Sequence, residues 1–419
     1  MDKTRVKTKS GAALVILVLW ILGPNPLRSE TWLGQSLRNM CRTAPWRWGP
    51  FRLQFGLSLR DMGYDTNVYG TDEKAVGDYS FTLGPDVNVY LPIKNKIIFH
   101  FSESPHYVYF LETRAERAWN NALLGEAYIL FPNFVVNFGL DSANLKQRIS
   151  LETEIRPRVR TENIFGSLLY QFSPKTSVSL ALRRNQVTFD NGPFEGFDYK
   201  AMLDRTENFI TLKSYYQRSL NGRYFFDIEY GSIDCENPQN NNDADSYAVH
   251  GGLEYIPSVK ANGKISLGYL WIRPRAPGQK NFGGLVGDAQ VSFRLTRMVR
   301  ARMSFRRDMP YSMVMADSRY FFYFFGTGIS AYPIRSLRLD YDFNLGKISY
   351  PDSLGRQSAG APDPADYSLD FQTHSVGLFI RLKRNMGIGL TAGRWIRNAP
   401  LLGQKSDRNF IFGSLTTDF

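Results

Sequence analysis

Residues 337–344 read Leu337-Arg338-Leu339-Asp340-Tyr341-Asp342-Phe343-Asn344, apolar at every odd number and polar or charged at every even one. Successive side chains of a strand point to opposite faces, so this stretch has one apolar face and one charged face. The pattern recurs along the chain. Val299, Ala301, Met303 and Phe305 alternate with Arg300, Arg302, Ser304 and Arg306. Phe51, Leu53, Phe55, Leu57 and Leu59 alternate with Arg52, Gln54, Gly56, Ser58 and Arg60, and Tyr79, Phe81, Leu83, Val87 and Val89 with Ser80, Thr82, Gly84, Asp86 and Asn88. Period two is the signature of strands and not of helices.

A soluble sandwich alternates too, and the connections decide between the two. Short ones (Pro92–Asn95, Phe131–Asn133, Ser173–Lys175, Leu220–Gly222, Pro257–Gly263, Thr296–Arg297, Pro333–Arg335, Lys383–Asn385) alternate with long polar ones such as Leu145–Arg160, Asp190–Thr206, Ile233–Ser246 and Gly346–Tyr367. Short turns at one end, long loops at the other and an aromatic Phe419 closing the last strand predict an all-β fold. It is a transmembrane antiparallel up-and-down β-barrel of about 18 strands, with about 16 as the alternative count. The strands are placed near 51–60, 78–90, 95–112, 119–131, 133–143, 161–172, 175–189, 207–219, 222–232, 246–257, 263–273, 284–296, 297–309, 319–332, 335–345, 367–383, 384–396 and 408–419. Pro105 marks a place where 95–112 divides into two shorter strands. Tyr90, Phe131, Phe134, Phe172, Tyr224, Tyr255, Tyr332 and Phe419 lie beside the short turns, where a girdle at the lipid–water boundary is expected.

The composition fits this reading. Apolar residues are 43% of the chain, yet mean hydropathy is −0.31, and only Ala12–Gly23 approaches a helical span. A spanning helix needs about 20 apolar residues, which excludes helical transporters and receptors. Lys3, Arg5, Lys7 and Lys9 precede that run, and Pro24, Pro26 and Leu27-Arg28-Ser29 follow it. This order marks residues 1–29 as a signal peptide, with an anchoring helix as the alternative. Residues 30–50, with Trp32, Trp46 and Trp48, form a plug or a periplasmic segment, and 51–419 the barrel. The net charge of +12 is spread singly along the chain and not in a patch, so no nucleic-acid partner is expected. Cys41 and Cys235 are too few for a disulfide framework and are expected to stay unbonded. Neither they nor the four histidines have zinc-ligand spacing, and no metal or cofactor is expected.

If the apolar parity faces lipid, the other parity lines the interior. Strands nine and ten then contribute Asp227, Glu229, His250 and Glu254, and strands eleven to thirteen Lys264, Arg294, Arg300, Arg302 and Arg306. Strand fifteen adds Arg338, Asp340 and Asp342, and strand sixteen Arg381 and Lys383. Placing Arg against lipid at the midplane costs about 2–4 kcal/mol, which holds these charges inside. An acidic sector beside a basic one makes a transverse field that filters solutes by sign; the alternative is charges paired across strands that fill the lumen. Catalytic patterns are weak. His100 precedes Ser102 at a spacing similar to that of outer-membrane phospholipase-like barrels, which need both residues on the lipid side. Here both fall on the polar parity, so no enzyme is expected. Asp65, Asp72, Glu73 and Asp78 form a candidate set for calcium or for bridging lipopolysaccharide.

The first long connection reads Gly63-Tyr64-Asp65-Thr66-Asn67-Val68-Tyr69-Gly70-Thr71, then Asp78-Tyr79 and Leu83-Gly84-Pro85. Over about Arg60–Tyr90 this resembles the opening of the β-barrel porin-2 family of outer-membrane proteins; beyond it the likeness is architectural. Phe419 fits the common assembly signal, while Thr417 departs from it where a second aromatic is expected. The resemblance implies a porin-like channel of the bacterial outer membrane. Some members are associated with export of exopolysaccharide or capsule, so the outer-membrane component of such a system is the finer expectation. Partners follow: outer-membrane lipid and lipopolysaccharide, the barrel-assembly machinery, periplasmic polysaccharide-export proteins and an acidic polysaccharide. The competing readings are a structural or adhesion barrel with a filled lumen and, last, an outer-membrane hydrolase.

Overall fold

The computed structural model describes residues 31–71, 74–94, 96–148, 152, 156–190, 193–194, 197–219, 221–237, 242–255, 260–277, 279, 281–312, 319–350, 368–383, 385–399 and 404–418; the expected signal peptide lies outside them. Among the described residues eighteen antiparallel strands close into one barrel. They are β1 Phe51–Asp65, β2 Asp78–Ile93, β3 in two pieces (Ile97–Glu103 and His106–Phe110), β4 Ala118–Leu130, β5 Phe134–Lys146 and β6 Arg158–Gln171. Next come β7 Thr176–Phe189, β8 Arg205–Ser219, β9 Gly222–Cys235, β10 Ala244–Tyr255, β11 Ala261–Pro274 and β12 Phe282–Arg294. The last six are β13 Val299–Asp308, β14 Phe321–Ile334, β15 Leu337–Ser349, β16 Ser368–Lys383, β17 Met386–Ala399 and β18 Gln404–Asp418. Each pairs with the next, and β18 returns to β1 from Gly56↔Asp418 to Asp65↔Phe410. The larger of the two expected counts is the one that closes.

The break in β3 falls at Pro105, which has no N–H to give to a neighbouring strand. Both pieces still pair with β2, and Gly84 of β2 faces the break. A Cβ on Gly84 would lie 2.1 Å from the Pro105 carbonyl oxygen, so only glycine fits there.

Exposure separates the two parities. Phe226, Ile228 and Tyr230 of β9, Leu339, Tyr341 and Leu345 of β15, and Val376, Leu378 and Ile380 of β16 are exposed. The other parity carries the charges and makes the contacts that span the barrel. The Arg205 guanidinium at the start of β8 stands 5.1 Å from the ring of Tyr311, which follows β13. A residue after β13 reaches β8, five strands away, by folding over the mouth of the barrel toward its interior, so the polar parity is concave and the apolar parity faces lipid.

A helix, α1 (Trp32–Thr43), precedes the barrel; its first turn is capped by Thr31 Oγ1, which accepts the Gly34 N–H at 3.2 Å. Leu33, Leu37, Cys41 and Ala44 form its apolar stripe and pack on Tyr90, Ile98, Leu130, Val135 and Tyr128. Those wall residues lie on the concave parity at the short-turn ends of β2 to β5, so α1 lies inside that mouth. The chain then leaves the lumen, and Trp46–Trp48 pairs with Phe51–Leu53 of β1 with both tryptophans exposed. Tyr90 corrects one expectation. It stacks on His100 beneath α1 and is 7% exposed, so it has no place in the girdle. The alternation itself explains this, because Tyr90 shares the parity of Asn88. Phe131, Tyr224 and Tyr255 are exposed as a girdle requires, while Phe419 lies outside the described residues.

Cys41 and Cys235 are both free. Burial pushes the Cys41 thiol up from its ordinary pKa, so packing limits both access and thiolate. In a Cys235→Ser background, maleimide labelling of the folded protein is expected to be much slower than after unfolding. Leu37→Asp buries an unpaired carboxylate at a cost of about 3 kcal/mol, and labelling of Cys41 should rise by roughly a hundredfold. Equal rates in folded and unfolded protein would remove α1 from the wall.

Candidate functional site

On the concave parity, charged side chains of β8 to β11 and of β12 to β15 form two clusters. In the first, His250 Nδ1 of β10 lies 2.8 Å from Asp227 Oδ1 of β9, and Glu229 accepts from Thr211 Oγ1 of β8 at 2.9 Å. Two cations that the sequence reading left out complete this cluster. Lys213 Nζ lies 4.0 Å from Asp227 and 3.8 Å from Glu254, and Arg223 Nε donates to Glu254 at 2.6 Å. The Phe225 ring meets both Lys213 Nζ (4.2 Å) and Lys264 Nζ (5.1 Å). Asp227 and Glu254 of the expected acidic sector are therefore neutralised where they stand, and Glu229 alone keeps only a hydroxyl partner, which weakens the transverse field there. Lys213 and Arg223 share the polar parity, so alternation alone could have found them.

The second cluster spans β12 to β15. Arg302 Nη2 of β13 donates to both carboxylate oxygens of Asp342 on β15, at 2.8 and 3.1 Å, and lies 3.8 Å from Asp340. Asp340 also accepts from Ser330 Oγ (2.6 Å) and Arg338 Nε (2.8 Å). Strand β14 lies between, and its concave positions at the crossing are Gly326 and Gly328. A Cβ on Gly328 would stand 2.2 Å from Asp342 Oδ1, so glycine lets Arg302 reach across the intervening backbone. Around this bridge lies a recess of about 360 Å³, bordered by Gln290, Ser292, Ser304 and Asn344 as well as the ion pair. Amides, hydroxyls and one guanidinium–carboxylate pair can exchange hydrogen bonds with a polar solute.

The remaining basic residues are placed differently. Arg294 and Arg300 stand directly opposite one another at the short-turn end of β12 and β13. Among the described residues neither makes an ion pair, nor do Lys264, Arg381 and Lys383, which also lie toward that end. Like charges directly opposite repel, and an anion between them relieves the repulsion. Arg306, near the other end, is paired with Asp308 at 2.7 Å. Among the described residues the inner charge is thus asymmetric along the barrel axis: five cations without ion pairs gather toward the short-turn mouth, against Arg60 and Arg183 farther along.

At the long-loop mouth, segments from distant parts of the chain tie to one another. Glu152 accepts from Ser312 Oγ at 2.7 Å and from the Tyr350 hydroxyl. Arg148 donates to the Val68 carbonyl at 2.8 Å and faces the Trp395 ring of β17. Burial beside Glu152 holds the Tyr350 phenol well above its ordinary pKa, so it stays a donor. Residues Asp65 and Asp78 do not form the expected cation set. Asp65 accepts from Arg408 and the Asn67 N–H, and Asp78 from the N–H groups of Glu112 and Thr113. Asp72 and Glu73 lie outside the described residues. His100 is engaged at both nitrogens, by Glu126 (2.8 Å) and Asn88 (3.2 Å), on the concave face.

The family profile described as "Putative beta-barrel porin 2" matches residues 154–416. This span begins after Arg60–Tyr90, so the stretch that carried the resemblance contributes nothing to the match. No curated protein matches the sequence. Among solved structures, OccK2 (OpdF) of Pseudomonas aeruginosa is similar at 10% identity and a TM-score of 0.50, covering 88% of this chain and 98% of that one. OpdK, an outer-membrane protein of the same organism, gives 8%, 0.48, 88% and 99%. OccAB4 of Acinetobacter baumannii gives 12%, 0.47, 88% and 98%. At such identities the likeness is one of fold. With the profile covering well over half of the chain, the protein belongs to the beta-barrel porin 2 family, as a porin-like channel of the bacterial outer membrane.

Proposed function

We propose that the channel passes anions, and that its cargo is an acidic polysaccharide leaving the periplasm. The observation that carries this reading is a charge asymmetry along the axis: among the described residues Lys264, Arg294, Arg300, Arg381 and Lys383 gather without ion pairs at the short-turn mouth, while Asp227, Glu254, Asp340 and Asp342 are paired. In outer-membrane barrels short turns face the periplasm. A low-dielectric wall focuses such a potential and raises the local concentration of anions at the entrance. Farther in, Arg302, Asp342, Ser304 and Asn344 offer weak and exchangeable hydrogen bonds, which a moving carboxylated chain needs. The concave charges, Asp227, Glu229, His250, Glu254, Arg306, Arg338 and Asp340 among them, then line the pore. In this reading residues 1–29 are the signal peptide, α1 narrows the periplasmic entrance, and periplasmic export proteins dock around it. The barrel-assembly machinery inserts the chain. A second reading, a filled lumen, draws on the ties among Glu152, Ser312 and Tyr350 and on α1.

Single-channel recording separates the two readings, since a filled barrel conducts nothing. Wild type is expected to prefer anions, most strongly at 0.01 M salt, where the Debye length is about 30 Å. Replacing Arg300, Arg302 and Arg306 by Ser should move the reversal potential toward cations. One charge acting over about 10 Å of water contributes about 0.4 kcal/mol, roughly a twofold change in permeability ratio per charge. Unchanged preference would make those arginines structural filler. Asp342→Asn releases Arg302 and should shift preference the opposite way, by about twofold.

Cargo is tested by current block. An oligoglucuronate added on the short-turn side should interrupt the current, and a neutral dextran oligomer of equal length should not. Equal block by both would leave the anion channel standing and reject the acidic polymer.

A further inference from the structure

On the convex side of β13 to β17 the register sets Phe305, Phe325, Leu345, Gln372 and Ile396 side by side. One pair nearer the long loops, it sets Arg307, Tyr323, Lys347, Asp370 and Asn398 side by side. A groove of about 470 Å³ runs between these rows over the backbone at Gly346. Its outward-pointing walls are mostly apolar below and polar above. The Arg307 guanidinium stands 5.0 Å from the Phe321 ring and 5.2 Å from the Tyr323 ring, and its Nε is buried with no hydrogen-bond partner. Among the described residues neither Arg307 nor Lys347 makes an ion pair.

We propose that this groove binds a phosphorylated glycolipid of the outer leaflet, with the phosphate on Arg307 and Lys347 and an acyl chain in the groove below. The long loops of outer-membrane barrels face the outside, so this end of the wall meets the outer leaflet. A guanidinium held against aromatic rings is weakly hydrated and pre-oriented, and its planar donors match a phosphate. Tyr323 is the ring type that settles at the boundary between headgroup and chain, and Phe321 holds the guanidinium from its apolar side. Asp370, Gln372 and Asn398 border the same groove and offer hydrogen bonds to sugar hydroxyls, which a glycerophospholipid lacks. Asp370 is the one carboxylate in the row, against two cations. Charge complementarity therefore selects an anionic headgroup, and the apolar floor selects its chain.

The test uses the full barrel in detergent with bisphosphorylated lipid A, dephosphorylated lipid A and phosphatidylglycerol as probes, read by native mass spectrometry. Wild type should retain bisphosphorylated lipid A selectively. The double variant Arg307→Gln, Lys347→Gln should lose at least about tenfold in retention, since even one of the two charge-assisted hydrogen bonds is worth that much. Leu345→Trp, which fills the groove and keeps both charges, should lower retention as well, while Asp370→Asn should raise it. Each variant must keep a gel shift between unboiled and boiled samples; Lys347→Gln alone, at an exposed side chain, serves if the double variant does not fold. Equal retention of the dephosphorylated lipid or of phosphatidylglycerol would overturn the proposal. So would a folded double variant that retains as much as wild type. Conductance is untouched by these convex changes, so failure here leaves the anion-channel reading where it was.

Discussion

Hydrocarbon offers a backbone N–H or C=O no partner, and each unsatisfied group there costs several kcal/mol. Every other feature depends on that constraint. It forces β18 back onto β1 along Gly56–Asp65, because an unpaired edge anywhere in the wall would stand open to lipid. Once the sheet is closed, each strand has one convex and one concave parity, and the alternation of the sequence becomes a division between lipid and lumen. The seam is not perfectly regular. A bulge near Arg60–Gly63, with Asp61 at φ 53°, interrupts both of β1's ladders and turns its outer end.

Inside, the governing effect is the cost of leaving a charge uncompensated. Asp227, Glu254, Asp340 and Asp342 all find cations, three of them through contacts that leap a strand. The leap from β13 to β15 needs an absent side chain on β14, and glycine provides it. Most of the cations left over lie toward one end. Electrostatic character in this barrel is therefore decided less by how many charges face inward than by which of them have partners and where along the axis the remainder lie.

Strand existence and parity were legible because lipid and water impose opposite demands on neighbouring residues. Strand ends were less so. β1 runs to Asp65 instead of residue 60, β9 to Cys235 instead of 232, and β18 begins at Gln404 instead of 408. Above the bilayer the outward position no longer has to be apolar, and the two-residue period fades while the hydrogen-bonded ladder continues. Partnerships were the least legible. Nothing local to Glu152 announces Ser312 or Tyr350, and nothing in an amphipathic Trp32–Thr43 says that its stripe packs inside the mouth and not elsewhere. The even number of Tyr90 itself places it with Asn88 on the concave parity. The family stretch at Arg60–Tyr90 also stood apart from the residues that carry the family match.

The short strand Trp46–Trp48 and β18 occupy the same edge of β1, the one that β2 does not use. Trp46 pairs with Leu53, and Asp418 pairs with Gly56, so the two segments abut almost end to end. One is joined to β1 by a tight local turn and can form within microseconds. The other arrives only when the whole wall has been laid down. The local hairpin therefore stands as a doorstop: β18 cannot slide toward the short-turn end without displacing paired tryptophans anchored at the membrane surface. A shift of one residue would turn the entire last strand inside out, and the short strand just before the barrel guards against it.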